Sequence, residues 1–447
     1  MSSRAASLTF FRQSGWMVIA TTASGLFMSA VHVVVNRMEP AEYGVFFTLL
    51  RIFLLMGFPA GGLQTVFAQQ AAAAISEAEQ RKLAATTRAV FRGTFVIWLI
   101  MAAATFLWRK EILLMLKIAN PAALWVTVAL GLASLWTPVI KGLLQGRQDF
   151  FGLGWVTIID GIGRFTAIAF LVQLGGQAAG AMTGALAGQT VALALGGWLT
   201  YKVWHGPGDS FQWKPWLKRV IPLTAGVGSI LFMTNADVVF VQIAFPEIKT
   251  PFYMAAAMIG LALVTFTTPL AAVMFPKVVQ SAARTERTDA LKQALVATMF
   301  LGGLAALACT LFPELPLRII YFRNAMYWKS APLVPWFAWC LLPLIFANLL
   351  IGNLLARDRF AVVPWLAGVA VTYGLTLFSL KETLAIVETF QAFRWVIQTL
   401  GIFSSLLLLV AGYFTWQERK RSMTAIGSSR PPHSEQALNS APAKSES

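Results

Sequence analysis

Charged and amide side chains inside long apolar stretches are the residues of this chain that could do chemistry. Arg51 lies about eight residues into one such stretch, roughly 12 Å along a helix at 1.5 Å per residue. Asp237 lies deep in another stretch, close to Asn235. An ionisable group in hydrocarbon costs roughly 2.5–3.5 kcal/mol on insertion scales. Such positions are therefore the first candidates for binding residues.

Arg51 is a candidate ligand for an anion. A planar guanidinium can donate two hydrogen bonds to one phosphate, which an ammonium group does less well. One interpretation is a cation that faces a water-filled cavity and contacts an anionic substrate. The alternatives are an arginine that snorkels outward or one that pairs with a carboxylate. Gly57 and Pro59 follow on the same stretch, and the proline predicts a bend in the helix.

Asp160 and Arg164 are four residues apart within one apolar stretch. This spacing places them on one helical face and permits an ion pair. The pair could be structural, with each charge neutralising the other. It could instead line a cavity, where Arg164 would release Asp160 when an anionic ligand binds. Arg164 is therefore a candidate substrate ligand, and Asp160 a candidate ion-coupling residue.

Asp237 has no opposite charge within a helical turn of its own stretch. A buried carboxylate without a partner is either protonated or holds a cation. Asp237 and Asn235 are therefore candidates for coupling to H⁺ or Na⁺. The alternative is that Asp237 pairs with an arginine from another helix.

The last apolar stretch carries a polar face near its start. Gln391, Arg394 and Gln398 follow the spacing i, i+3, i+7, which puts them on one side of a helix. Arg394 is a third candidate substrate ligand, and the alternative is a snorkelling surface arginine. His32, near one end of the first stretch, is interpreted as a packing residue.

The same inventory argues against an enzyme. The three histidines are far apart in sequence, and the two cysteines, Cys309 and Cys340, lie inside apolar stretches. The chain contains no nucleophile elbow, Walker loop or Gly-rich dinucleotide turn. We therefore expect no catalytic residue, no metal and no cofactor.

The elements that must position these residues are transmembrane helices. Hydrophobic residues make up 57% of the 447-residue chain and charged residues 12%, against about 25% charge in soluble domains. The composition predicts an all-α polytopic membrane protein. About twelve stretches are long enough to span a bilayer. They cover residues 14–36, 44–68, 89–108, 121–144, 153–173, 178–201, 220–244, 252–276, 293–312, 330–355, 361–380 and 392–416.

The basic residues predict the orientation. With the N-terminus inside, about 23 of the 35 lysines and arginines fall on the inner side and about 10 on the outer side. The bias places both termini in the cytoplasm. The net charge of +16 is explained by this topology and by anionic membrane lipid, so we expect no nucleic-acid partner.

Comparison of the chain with itself indicates an internal duplication at an offset of 210 residues. The offset maps the second stretch onto the eighth, the fourth onto the tenth and the fifth onto the eleventh. Each half then holds six helices in the same orientation, related by an axis along the membrane normal. The matched pairs include Tyr43 with Tyr253, Pro59 with Pro269, Gln70 with Gln280, Gly142 with Gly352, Arg147 with Arg357, Phe150 with Phe360 and Trp155 with Trp365.

This duplication predicts the domain organisation. Residues 1–201 form an N-terminal six-helix lobe and residues 220–416 a C-terminal one. Residues 202–219 form a cytoplasmic interfacial linker, whose Trp213 and Trp216 would lie at headgroup level. Residues 417–447, rich in Ser, Ala and Pro after a basic cluster, are expected to be a disordered cytoplasmic tail.

Four short motifs stand at or near the ends of the stretches or within them: Glu42-Tyr43-Gly44, Gly57-Phe58-Pro59, residues 142–150 and Phe275-Pro276-Lys277. These motifs resemble those of the multidrug/oligosaccharidyl-lipid/polysaccharide (MOP) exporter superfamily, in particular its polysaccharide biosynthesis flippases. The resemblance implies two V-shaped lobes, alternating access and a cationic central cavity. Some related flippases use a carboxylate in the seventh span for ion coupling, and Asp237 matches that position. The acidic residues expected in the eleventh and twelfth spans are missing.

Together with the intramembrane arginines, this resemblance implies a flippase in a bacterial inner membrane that exports undecaprenyl-pyrophosphate-linked oligosaccharide for surface polysaccharide. Expected partners are the lipid-linked oligosaccharide, membrane lipids, and the glycosyltransferases and polymerase of the same pathway. Two alternatives stay open. One is a multidrug/cation antiporter of the same superfamily, and the other is a non-transporting scaffold for polysaccharide assembly.

Overall fold

All regular structure in the described residues is helical. A computed structural model describes residues 3–264, 290–357 and 359–428. The helices are α1 (Ser3–Val35), α2 (Pro40–Met56), α3 (Ala60–Ala73), α4 (Glu77–Leu107), α5 (Arg109–Met115), α6 (Pro121–Gly146), α7 (Phe150–Gln173), α8 (Gln177–Trp204), α9 (Trp213–Ala244), α10 (Thr250–Val264), α11 (Ala290–Leu311), α12 (Glu314–Ile320), α13 (Val334–Ala356), α14 (Val363–Ser379), α15 (Lys381–Ile386) and α16 (Thr389–Ser428), with 3-10 turns at Ala325–Leu333 and Phe360–Val362.

The predicted all-α polytopic architecture is confirmed. Within the described ranges nine helical stretches are long and apolar enough to cross a membrane, or ten if the bent pair α11 and α12 counts as one span. Shorter apolar helices at Ile19–Val35 and Thr250–Val264 match the remaining two predicted stretches. The rest of the eighth stretch, including Phe275-Pro276-Lys277, lies outside the described residues.

The second span is interrupted where the proline predicts. Helix α2 ends at Met56 and α3 begins at Ala60, with Gly57, Phe58 and Pro59 between them. Proline has no backbone N–H and cannot continue the hydrogen-bond ladder. Arg51 therefore lies on the first segment, α2, and the second segment, α3, packs separately against α6 and α9.

Lys141, one of the basic residues counted on the inner side, lies inside α6, as the bounds of the fourth stretch predict. Two boundaries differ from the sequence prediction. Helices α8 and α9 extend into the predicted linker, so the non-helical connection covers only residues 205–212. Helix α16 continues to Ser428, so residues 417–428 of the predicted disordered tail are helical. Residues 429–447 lie outside the described ranges.

The connection between α8 and α9 is fastened to α4. One guanidinium nitrogen of Arg88 donates to the carbonyl oxygens of Trp204 at 3.3 Å and Gly206 at 2.5 Å. Arg81 lies 3.8 Å from the carboxylate of Asp209. Both arginines are on α4, so their contacts attach the connecting segment to the first half of the chain.

Close helix packing positions the charged residues. Helix α7 packs along α8 and α1, and α6 packs against α3 and α8. Gly184 and Gly188 on α8 face the α7 backbone. A Cβ at Gly188 would lie 2.2 Å from the Arg164 nitrogen, and one at Gly184 would lie 2.5 Å from that of Ile168. Small residues four apart permit this approach, which fixes the backbone of Arg164 inside the bundle.

The first half of the chain (α1–α8) meets the second half (α9–α16) along α9. Helices α2 and α3 both pack against α9. A Cβ at Gly228 of α9 would lie 1.9 Å from the ring of Phe58, so only glycine fits there. We call this contact of α2 and α3 with α9 the seam.

Candidate functional site

Arg51 lies in the seam and bridges the two halves. One terminal nitrogen donates to Asn235 Oδ1 at 3.0 Å and to the Thr234 carbonyl at 3.3 Å, both on α9. The other donates to the Ala257 carbonyl of α10 at 3.4 Å. The side chain is 2% exposed, and its guanidinium lies 4.8 Å from the Phe47 ring centroid. In this conformation Arg51 therefore faces neither lipid nor an open chamber.

Asp237 lies close to Arg51 without pairing with it directly. Asp237 is also 2% exposed, and its Oδ2 accepts a 2.7 Å hydrogen bond from the hydroxyl of Tyr253 on α10. Among the described residues its Oδ1 has no hydrogen-bond partner. No nitrogen of Arg51 is bonded to the Asp237 carboxylate; Arg51 binds Asn235, two residues earlier on α9. Of the predicted coupling residues, Asn235 is thus bonded to Arg51, and Asp237 lies beside them.

A cluster of buried tyrosines joins the halves beyond Arg51. The hydroxyls of Tyr43 and Tyr321 are 2.6 Å apart, and the ring of Tyr327 packs against both. Asn36 at the end of α1 donates to the Ile320 carbonyl at 2.9 Å. We call the side of the bundle defined by Tyr43, Tyr321 and Tyr327 the tyrosine end.

Lys117 adds a second link between the halves at the tyrosine end. It lies between α5 and α6, and its Nζ donates to the carbonyl oxygens of Gln242 at 2.9 Å and of Phe245. Gln242 in turn donates to the Leu116 carbonyl at 3.1 Å. Partial burial lowers the pKa of Lys117 from its ordinary value. The halves are therefore held together at this end by several hydrogen bonds.

Asp160 and Arg164 form the predicted ion pair, and Lys141 joins them. The Nε of Arg164 donates to Asp160 Oδ1 at 2.8 Å, and a terminal nitrogen lies 2.7 Å from the same oxygen. Lys141 Nζ lies 3.6 Å from the other carboxylate oxygen. The exposed fraction of the side chain is 19% for Lys141, 15% for Asp160 and 9% for Arg164. This group is therefore more accessible than Arg51.

Arg394 lies on α16, away from both groups. Its guanidinium is 5.4 Å from the ring centroid of Trp336 on α13. Gln391, Arg394 and Gln398 are all half-buried. The structure thus places Arg394 on aromatic surface inside the second half rather than with Arg51 or Arg164.

Three features escaped the sequence interpretation. The sequence presents Tyr253 only as the repeat partner of Tyr43, whereas in the structure its hydroxyl donates to Asp237 from the next helix. Lys141 lies within the fourth apolar stretch as the sequence delimits it, and this was the available signal. The contact between Tyr43 and Tyr321 spans residues far apart in sequence, and no local pattern indicates it.

Comparisons with known proteins identify the fold. No family model and no curated protein sequence matches the chain. Among solved structures, an inward-facing multidrug resistance MATE family transporter of the MOP superfamily matches with TM-score 0.72 at 12% identity, over 91% of this chain and 96% of the other. The lipid II flippase MurJ in an inward closed conformation gives 0.67 at 14%, over 93% of each chain. An outward-facing MATE family transporter gives 0.63 at 14%, over 94% and 96%.

These likenesses show that the chain has the MATE-like fold of MOP superfamily transporters. The predicted fold is therefore confirmed. The identities are low, so what these proteins transport is a property of those proteins.

Proposed function

We propose that the chain is a bacterial inner-membrane flippase that moves undecaprenyl-pyrophosphate-linked oligosaccharide outward by alternating access. One observation carries the proposal: within a transporter fold, the intramembrane arginines Arg51 and Arg164 are buried inside the bundle instead of facing lipid. Burying a cation is costly unless a partner compensates it. A substrate bearing phosphates would give such cations a function.

The lobe organisation is part of this proposal. The boundaries 1–201 and 220–416 follow from the duplication, and two of the matched pairs have similar burial. Tyr43 and Tyr253 are both fully buried, and Trp155 and Trp365 are both exposed on the apolar surface. Such pairs support two six-helix lobes related by an axis along the membrane normal.

The conformation fits a state closed on the outside. The basic-residue bias puts both termini in the cytoplasm and the tyrosine end on the outer side. The hydrogen bonds of Tyr43 and Lys117 hold the halves together at that end. The TM-score is also higher for the inward-facing MATE transporter than for the outward-facing one. Outward opening then requires Arg51 to leave Asn235, which would free it for the pyrophosphate.

Ion coupling is assigned to Asp237, Asn235 and Asp160, with H⁺ preferred over Na⁺. A sodium ion at Asp237 would be repelled by the neighbouring Arg51, and Asn235 Oδ1 is already bonded to that arginine. A proton needs only Oδ1 of Asp237, which has no hydrogen-bond partner among the described residues. Arg394, beside Trp336, is the third proposed substrate contact, positioned for the sugar or phosphate on its way out.

A multidrug/cation antiporter is the second candidate, because its fold is the one matched by the MATE structures. The buried charges favour the flippase, since a cationic drug would meet Arg51, Arg164 and Lys141. The proposed partners are membrane lipids and the glycosyltransferases and polymerase of the same pathway. A scaffold role in that assembly would not require any of the buried charges.

Reconstituted translocation of fluorescently labelled lipid-linked oligosaccharide tests the proposal. We expect transport by the wild type, and a loss of about tenfold or more for Arg51→Ala and Arg164→Ala, the factor that removal of about 1.4 kcal/mol of binding gives. The matched control is Arg109→Ala. The guanidinium of Arg109 donates only to the carbonyl of Phe106, three residues away, among the hydrogen bonds of the described residues. Transport of a cationic dye but not of the lipid-linked sugar would establish the antiporter instead. Full activity in both variants would contradict the role of the arginines.

A further inference from the structure

We propose that Lys141, Arg164 and Asp160 form a pyrophosphate subsite inside the first half, in which Asp160 is an internal counter-ion that the ligand displaces. This inference rests on the proposed function for its natural substrate. The sequence assigned no binding role to Lys141. The structure places it on α6, facing the same carboxylate that Arg164 binds from α7.

The geometry is that of two cations sharing one anion. Asp160 presents one oxygen to Arg164 at 2.7 Å and the other to Lys141 at 3.6 Å. One negative charge cannot neutralise two positive ones, so the group carries a net charge of +1. Arg164 is further held over the ring of Phe53 on α2, 5.3 Å from its centroid. The group therefore lies beside the helix that also carries Arg51.

The group lies nearer to one end of the bundle than to the other. Lys141 lies five residues before the end of α6, about 8 Å along the helix, and Asp160 lies ten residues into α7, about 15 Å. These two helix ends face away from the tyrosine end, which is closed. By the predicted topology these ends are on the cytoplasmic side, from which a lipid-linked sugar would be loaded.

The donor set suits a diphosphate. The guanidinium of Arg164 offers a planar fork for one phosphate, and the ammonium of Lys141 is a compact charge for a second. A carboxylate ligand would bring only the charge that Asp160 already supplies. A pyrophosphate spans both cations, so it can replace Asp160 where a smaller monoanion gains little.

In the ligand-free protein the Asp160 carboxylate thus occupies the position that the phosphate oxygens take when pyrophosphate binds. In the empty state it lowers the cost of keeping two cations away from bulk water. It also competes with the ligand, so its removal should strengthen binding. A purely structural triad predicts the opposite, because removal of the shared anion would only destabilise the protein.

Titration calorimetry with inorganic pyrophosphate on the purified full chain tests the subsite. We expect Lys141→Gln to weaken binding about tenfold, or about 1.4 kcal/mol. Asp160→Asn should tighten it, and Lys141→Arg should retain it. The matched control is Lys202→Gln, an exposed lysine at the end of α8, which should leave the affinity unchanged. Inorganic phosphate and acetate should bind more weakly than pyrophosphate to the wild type.

Thermal unfolding of each variant separates misfolding from lost binding. If Lys141→Gln unfolds, the Lys141→Arg and Asp160→Asn results decide. Wild-type affinity in Lys141→Gln, weaker binding in Asp160→Asn, or no pyrophosphate binding by the wild type would each overturn the subsite. Binding that depends on Lys141 without translocation of labelled lipid-linked sugar would refute the proposed function and leave the subsite. Translocation by the wild type, together with an unchanged pyrophosphate affinity in Lys141→Gln, would support the proposed function and refute the subsite.

Discussion

Removal of the Arg51 bridge should open the tyrosine end. In Arg51→Met, a flexible apolar side chain replaces the guanidinium and the bonds to Asn235, Thr234 and Ala257 are lost. Asp237 also loses its neighbouring cation. Since these partners belong to the second half, the change weakens the closed arrangement and not the internal packing of either half.

The size of the effect follows from the three distances. A hydrogen bond to a charged group contributes about 1.5–3 kcal/mol. The bond to Asn235 at 3.0 Å has ordinary length, whereas the other two, at 3.3 and 3.4 Å, are long. Counting the bond to Asn235 at the lower value, about 1.5 kcal/mol, and the two long bonds together as about 1.5 kcal/mol more, gives about 3 kcal/mol in total. At 1.4 kcal/mol per factor of ten, the ratio of closed to open molecules should fall about a hundredfold.

Pulsed electron–electron double resonance measures the distances between spin labels on the two halves, and the populations of short and long distances give this ratio. Labels at Arg37→Cys and Arg323→Cys flank the contact between Asn36 and Ile320, and both positions are exposed. The native Cys309 and Cys340 are first replaced by serine. We expect a single short distance in the parent protein and a second, longer one in Arg51→Met.

Two further variants make the assay decisive. Arg109→Met removes a guanidinium that donates to the Phe106 carbonyl of the same half, so it should keep the parent distribution. Arg51→Lys retains the charge without the fork and should lie between the parent and Arg51→Met. An unchanged distribution in Arg51→Met would refute the view that Arg51 holds the halves together.

Two more predictions concern the seam and the last helix. Gly228→Ala should destabilise the protein by about 1–3 kcal/mol through overpacking, because its Cβ would meet the Phe58 ring. In Gly303→Ala no atom of the described residues lies within 4 Å of the added Cβ, so this control should not lower the melting temperature. Equal melting temperatures for Gly228→Ala and Gly303→Ala would contradict the tight seam. Backbone N–H groups at the start of α16 bond to Glu388 and lower its pKa, so its stabilising contribution is present above the ordinary glutamate pKa, about 4.3, and is lost below it. Glu388→Gln should flatten the fall of melting temperature as the pH drops through that range, and an unchanged profile would argue against the cap.

The sequence predicts the helices well because the signal is local. Length and apolarity delimit each span, and Pro59 marks the interruption of the second one. The pairing of Asp160 with Arg164 is also local, since a spacing of four residues determines it. Each of these features depends on residues within a few helical turns of one another.

The candidate site is less predictable because its contacts join distant helices. The partners of Arg51 lie on α9 and α10, far away in the chain, and nothing in the periodicity of α2 indicates them. The contact of Lys141 with Asp160 is not predictable from the sequence, because a lysine near the end of an apolar stretch is usually solvated. The carboxylate that binds it lies on α7, and only the close packing of the helices reveals the contact.

The fastening of residues 205–212 to α4 has a mechanical consequence. Arg88 and Arg81 attach this segment to the first half, so under the proposed alternating access it would move with that half. The proposed rocking would then bend the chain at the first turn of α9, where Trp213 packs on Gly93 of α4. These residues would form a short hinge, and its stiffness would limit the distance to which the two halves can separate.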